Sequence, residues 1–183
     1  MALNLENLDS TTRPEMIKEL DADIAVGRLY LSPRLTDSGR NDYPVLLREA
    51  IISGNDSSLA AELGTLGRLK THEAYTTKTG TKTRKVPINA PEMLAEGEFN
   101  RFYLRALCIR AQADPELRIQ VYRAKSVENP RPESEALISN TVPSASLLED
   151  LRLNIGLDTA LGLPPGPNSG LSARLVKVIA IKA

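Results

Sequence analysis

Residues 89–113, NAPEMLAEGEFNRFYLRALCIRAQA, restrict the fold of this chain more than any other stretch. Phe102, Ala106, Ile109 and Ala113 form one helical face, and Phe99, Tyr103 and Leu107 broaden it. A helix that is apolar over so wide an arc has to be covered from several sides, so this segment is expected to be the central buried helix. Asn89 and Glu92 have capping-box spacing, with a proline between them in the first turn. Gly97 is the point at which the helix would kink or divide.

The flanking segments read as shorter elements. Residues 10–26 carry an N-cap choice at Ser10–Thr12, Pro14 in the first turn, Gly27 at the C-terminus, and a Met16, Leu20, Ile24 stripe. A second helix is expected over 42–53, with Pro44 in its first turn, Leu46, Leu47 and Ile51 inward, and Gly54 closing it. A third runs from Asp56 to Gly64. Residues 117–125 alternate Leu117, Ile119 and Val121 with polar neighbours, as a strand with one face on the core does. Residues 126–134 read as a loop, Ser144 caps a helix that stops at Gly156, and the β-branched run at 173–182 reads as a strand. The order has no βαβ rhythm. The expected architecture is α+β: one domain over 1–183 with several short helices, a small mixed or antiparallel sheet, an N-terminal arm at 1–9 and a projecting hairpin at 68–88.

That hairpin contains AYTTKTGTKTRKVPI, residues 74–88. A turn near Thr79–Gly80 pairs Lys78 with Thr81, Thr77 with Lys82 and Tyr75 with Arg84. Both faces are then polar, and a slip of register leaves them polar. Such a ribbon has no core face and should project. From 68 to 85 it holds Arg68, Lys70, Lys78, Lys82, Arg84 and Lys85 against Glu73 alone, while residues 1–26 hold Glu6, Asp9, Glu15, Glu19, Asp21 and Asp23 against Arg13 and Lys18. The interaction residues are read as Lys78, Lys82, Arg84 and Lys85 on the arm and Glu15, Glu19, Asp21 and Asp23 on the acidic segment. Segregated charges permit head-to-tail contact between copies or an intramolecular contact.

Composition narrows the chemistry. Lys plus Arg, 23, equals Asp plus Glu, 23, so a nucleic-acid role would rest on a local patch rather than on the whole chain. Aromatics are 4%, which leaves few rings for stacking on single-stranded bases. The single cysteine, Cys108, lies in the apolar part of the long helix and forms no intrachain disulfide. The only histidine, His72, reads as an exposed strand residue. Asp21 and Asp23 form a DxD whose side chains diverge on a helix, so they read as a solvated face. GPNSGLS, 166–172, lacks the lysine of a P-loop and precedes a strand. YRAK, 122–125, has Arg123 where a PD-(D/E)xK nuclease needs an acid. Arg101 and Arg105, one turn apart, could clasp phosphate or pair with nearby glutamates. The chain is read as a non-enzyme with no catalytic residue, cofactor, metal or small-molecule substrate. Residues 1–10, MALNLENLDS, do not read as a signal peptide, and no apolar run of membrane length is expected. It is expected to be made in the cytoplasm, with the virion as a second location.

LAEGEFNRFYLRALCIRA (94–111), LGLPPGPNSGLS (161–172) and YLSPRLTDSGRNDYPVLLREAI (30–51) resemble stretches of uncharacterised bacterial and phage or prophage proteins. The resemblance implies a mobile-element setting and carries no site residue. The expected function is a structural or assembly protein of a phage or phage-like particle, a capsid, neck or tail subunit that forms homo-oligomers or docks on other subunits. The alternative is a nucleic-acid-binding accessory protein that uses the basic hairpin.

Overall fold

The computed structural model describes residues 2–78, 80–156 and 169–178. Among these, the chain runs α1 (Thr12–Ala25), α2 (Asp37–Ser53), α3 (Asp56–Leu63), β1 (His72–Thr77), β2 (Gly80–Lys85), α4 (Ala90–Ala113), β3 (Leu117–Arg123), α5 (Pro132–Leu137), β4 (Thr141–Val142), α6 (Ser144–Leu153) and β5 (Leu171–Lys177). Strands β4, β3 and β5 form an antiparallel sheet with β3 in the middle, and β1 with β2 forms a separate antiparallel ribbon. The fold is α+β.

Helix α4 is the hub. It packs against α1, α3, α6, β3 and β5. Every residue from Arg101 to Cys108 is buried, so this stretch has no solvent face at all. Around it lie Met16 and Leu20 of α1, Tyr43, Leu47 and Ile51 of α2, Leu59 and Leu63 of α3, Leu147 and Leu151 of α6, and Ile119 of β3. Ile109 and Ala113 of the expected stripe drift outward as the helix leaves this cover. The helix continues unbroken through Gly97, and Asn89 makes no side-chain cap bond, so the capping box does not form. Asn89 has φ −91° and ψ 15°, away from the extended conformation of a capping residue.

Several ends differ from the sequence reading for local reasons. Helix α1 starts at Thr12 because the Asp9 carboxylate accepts the N–H groups of Thr11 and Thr12 at 3.0 and 2.8 Å; Ser10–Thr12 supply no cap. Ile24 turns outward at 39% exposure, while Met16 and Leu20 are fully buried. Helix α2 starts at Asp37, earlier than expected, because Thr36 Oγ1 accepts the Gly39 N–H at 3.0 Å. Pro44 therefore sits inside the helix. Gly39 is required there, since a Cβ would lie 2.1 Å from the Arg68 carbonyl oxygen. The C-terminal carbonyls of α2 are met by Arg13, whose guanidinium donates to Ile51 and Gly54. Pro143, not Ser144, occupies the N-cap of α6, and α5 and β4 lie within stretches the sequence reading left without regular structure. Most of GLPPGPNSG and the end of the 173–182 run lie outside the described residues.

The N-terminal segment is sewn onto the body rather than extended as an arm. Leu3 is buried beside Tyr122 and Ala124. Its N–H is taken by the Asp56 carboxylate at 3.0 Å. The Tyr122 hydroxyl donates to the Asn4 carbonyl and accepts the Glu6 N–H at 3.1 Å. Asn7 donates its N–H to the Tyr103 hydroxyl at 3.1 Å, and its side-chain oxygen takes the Leu175 N–H at 2.8 Å.

Candidate interaction surface

In the ribbon, Thr77 pairs with Gly80, Tyr75 with Lys82, Glu73 with Arg84 and His72 with Lys85. The turn falls one residue earlier than expected, which shifts each pairing by two. A shift of two preserves the faces. Glu73, Tyr75, Thr77, Lys82 and Arg84 share one side; His72, Ala74, Thr76, Thr81, Thr83 and Lys85 share the other. The observed register has a reason at its base. It sets Arg84 opposite Glu73, where Arg84 Nε meets Glu73 Oε1 at 2.7 Å. Arg34 Nε meets Glu73 Oε2 at 2.6 Å, tying the ribbon to the segment before α2. The hydrogen bond from Arg34, helped by Arg84, holds the Glu73 carboxyl below its ordinary pKa. The Arg84 guanidinium also lies 5.2 Å over the Tyr75 ring.

The arm's basic residues divide into two sets. Arg84 is engaged at the base, Arg68 bridges Asp42 and Glu62, and the Lys70 ammonium donates to the Pro33 carbonyl at 2.8 Å. Lys78, Lys82 and Lys85 are exposed and form no ion pair with a described residue. Every strand residue of β2 is exposed, whereas Glu73, Tyr75 and Thr77 of β1 are half-buried.

The acidic segment is neutralised within the chain. Glu6 pairs with Arg174, Asp9 with Arg110, Glu15 with Lys18 and Asp21 with Arg48. Asp21 is exposed, but Glu19 and Asp23 are buried, which corrects the reading of Asp23 as part of a solvated face and of both as interaction residues. Both meet Arg105: its Nε lies 2.7 Å from Glu19 Oε2 and its Nη2 lies 3.1 Å from Asp23 Oδ1. Arg152 adds a second guanidinium on Glu19 at 2.6 Å. Burial pushes the Glu19 carboxyl up, but the Arg152 hydrogen bond and the Arg105 charge outweigh it and leave the pKa below its ordinary value. Arg105 is only 1% exposed and stacks 5.0 Å from the centre of the Phe102 ring. Arg101 is buried against Glu98 at 3.3 Å and donates to the carbonyls of Leu151 and Asn154. Neither arginine presents its guanidinium to an external phosphate, which corrects the phosphate-clasp expectation. Helix periodicity alone could have raised this outcome, because both sit in the most apolar part of α4.

Groups suited to catalysis are dispersed. Burial pushes the Cys108 thiol up to about 12, which keeps it protonated. His72 is exposed, with Nδ1 3.1 Å from Thr71 Oγ1. The Tyr43 hydroxyl is buried without a hydrogen-bond partner. A shallow cleft of about 350 Å³ is lined by Arg28, Gln112, Leu148, Glu149 and Arg152, with no Ser, Thr, Cys or His in its lining. Among the described residues, no group of His, Cys, Asp and Glu could hold a metal ion, and no helix is long and apolar enough to cross a membrane. No protein-family model, curated protein or solved structure matches this chain.

Proposed function

We propose that this protein is a non-catalytic structural or assembly subunit of a phage or phage-like particle, docking through its basic hairpin. The observation that carries this reading is one of unequal charge matching. The acids of the N-terminal segment are all paired inside the chain, while Lys78, Lys82 and Lys85 have no ionic partner among the described residues. A ribbon polar on both faces gains nothing from the body's core, so its role lies in contact with something else. The resemblance of 30–51, 94–111 and 161–172 to uncharacterised bacterial and phage or prophage proteins supports the setting. The earlier form of the docking, arm to a neighbour's acidic helix, is replaced: Glu19 and Asp23 of a second copy would be buried as well.

The test shortens the ribbon without disturbing its base. Replacing residues 75–82 by Asn-Gly joins Ala74 to Thr83 through a two-residue turn and keeps Glu73 opposite Arg84. Light scattering after size exclusion is expected to show hairpin-dependent association with particles. The shortened variant should keep the wild-type thermal midpoint and lose that association. A wild type that does not associate with particles overturns the proposal.

A further inference from the structure

We infer that the hairpin's occupant is double-stranded DNA, gripped by its phosphates; this rests on the hairpin being the docking element. Three properties of the ribbon select the partner. First, the chemistry of its surface suits phosphate better than protein. Protein interfaces are centred on aromatic or aliphatic anchors and are depleted in lysine. Here Tyr75 is half-buried and roofed by Arg84, and what is exposed is lysine, threonine, Arg84, His72, Gly80 and one alanine, with no large apolar anchor. Lysine ammoniums, threonine hydroxyls and backbone N–H groups are the donors that meet phosphate oxygens.

Second, the free charges are placed on both sides of the ribbon. Lys82 stands on the Tyr75 face, Lys85 on the opposite face about 10 Å along β2, and Lys78 at the turn. A flat partner would meet only one of these faces. A groove has two phosphate walls, and the B-DNA major groove, about 12 Å wide, admits a two-stranded ribbon. Entering edge-first, the ribbon presents Lys82 to one wall and Lys85 to the other. The smooth row of Ala74, Thr76, Thr81 and Thr83 lets the backbone come close on the Lys85 side. The deep, narrow groove of duplex RNA does not admit it.

Third, a second copy of this chain is a poor occupant. Its N-terminal acids are internally paired, and its own hairpin would set lysine against lysine.

The experiment measures fluorescence anisotropy of a labelled random-sequence duplex with the full chain across salt concentrations. Three phosphate contacts predict a slope of log K against log salt of about −2.7, or about forty-fold weaker binding at 200 mM than at 50 mM salt. Lys78→Gln/Lys82→Gln/Lys85→Gln should bring the slope close to zero with an unchanged thermal midpoint. Failure to bind at 50 mM salt, an unchanged slope in the triple variant, preference for duplex RNA or single strands, or equal competition by polyglutamate would each overturn the inference. Hairpin-dependent assembly seen by light scattering without DNA binding would remove only the choice of occupant. Loss of both would remove the docking reading too.

Discussion

Removing the Arg105 guanidinium would strand the Asp23 carboxylate in the interior and leave Glu19 with Arg152 alone. Breaking a buried ion pair from one side costs about 3–5 kcal/mol, so Arg105→Ala should lower urea-unfolding stability by about that amount. Lys78→Ala, at an exposed position, should stay within about 0.5 kcal/mol. The acid dependence follows from the direction of the Glu19 shift. A carboxyl whose folded pKa is depressed stabilises the fold above its unfolded pKa, about 4.3, and loses that contribution as pH falls through the folded value. The stability deficit of Glu19→Gln relative to wild type should therefore shrink as urea titrations move from pH 6 to pH 3. A deficit constant over that range would refute the assignment. The sequence displayed the acids and the arginines but not their pairing. Arg105 meets residues more than eighty positions earlier in the chain, on a helix whose docking angle no local window contains.

At the scale of elements, α4 was the most legible part of the chain, because a helix apolar almost all round has one physical solution. Its ends were less so. Asn89 and Glu92 had the right spacing, but capping needs an extended backbone conformation that Asn89 does not adopt. Pro44 was read as a start signal, and the Thr36 cap on Gly39 extended α2 past it. Gly97 was read as a possible break, yet it is exposed and a Cβ there would meet nothing within 4 Å. Gly97→Ala is therefore expected to raise stability by about 0.5–1 kcal/mol, since alanine is favoured in a helix interior. A lower midpoint in chemical denaturation would show that the glycine serves a contact outside the described residues. The ribbon's faces were legible while its register was not, because alternation fixes sidedness and a two-residue slip leaves it unchanged.

For the whole molecule, a neutral sum concealed two different arrangements. Both charged regions were visible in the sequence as segregated runs, and they were read as able to meet each other between copies or within one chain. Folding paired the acids of one of them, with Glu19 and Asp23 becoming internal glue between α1, α4 and α6, while the lysines of the basic run stayed exposed. Charge counts cannot separate these fates, because the difference lies in which helix covers which. The attachment of residues 3–7 has a further consequence, for the order of events in folding. Asn7 is held by Leu175 and Glu6 by Arg174, each 168 positions away, so a stretch made early in synthesis must wait for β5 before it can settle. Closing so long a loop is slow compared with forming neighbouring helices. Until residues 3–7 settle, the Tyr122 hydroxyl lacks Asn4 and Glu6, and the Asp56 carboxylate lacks the Leu3 N–H.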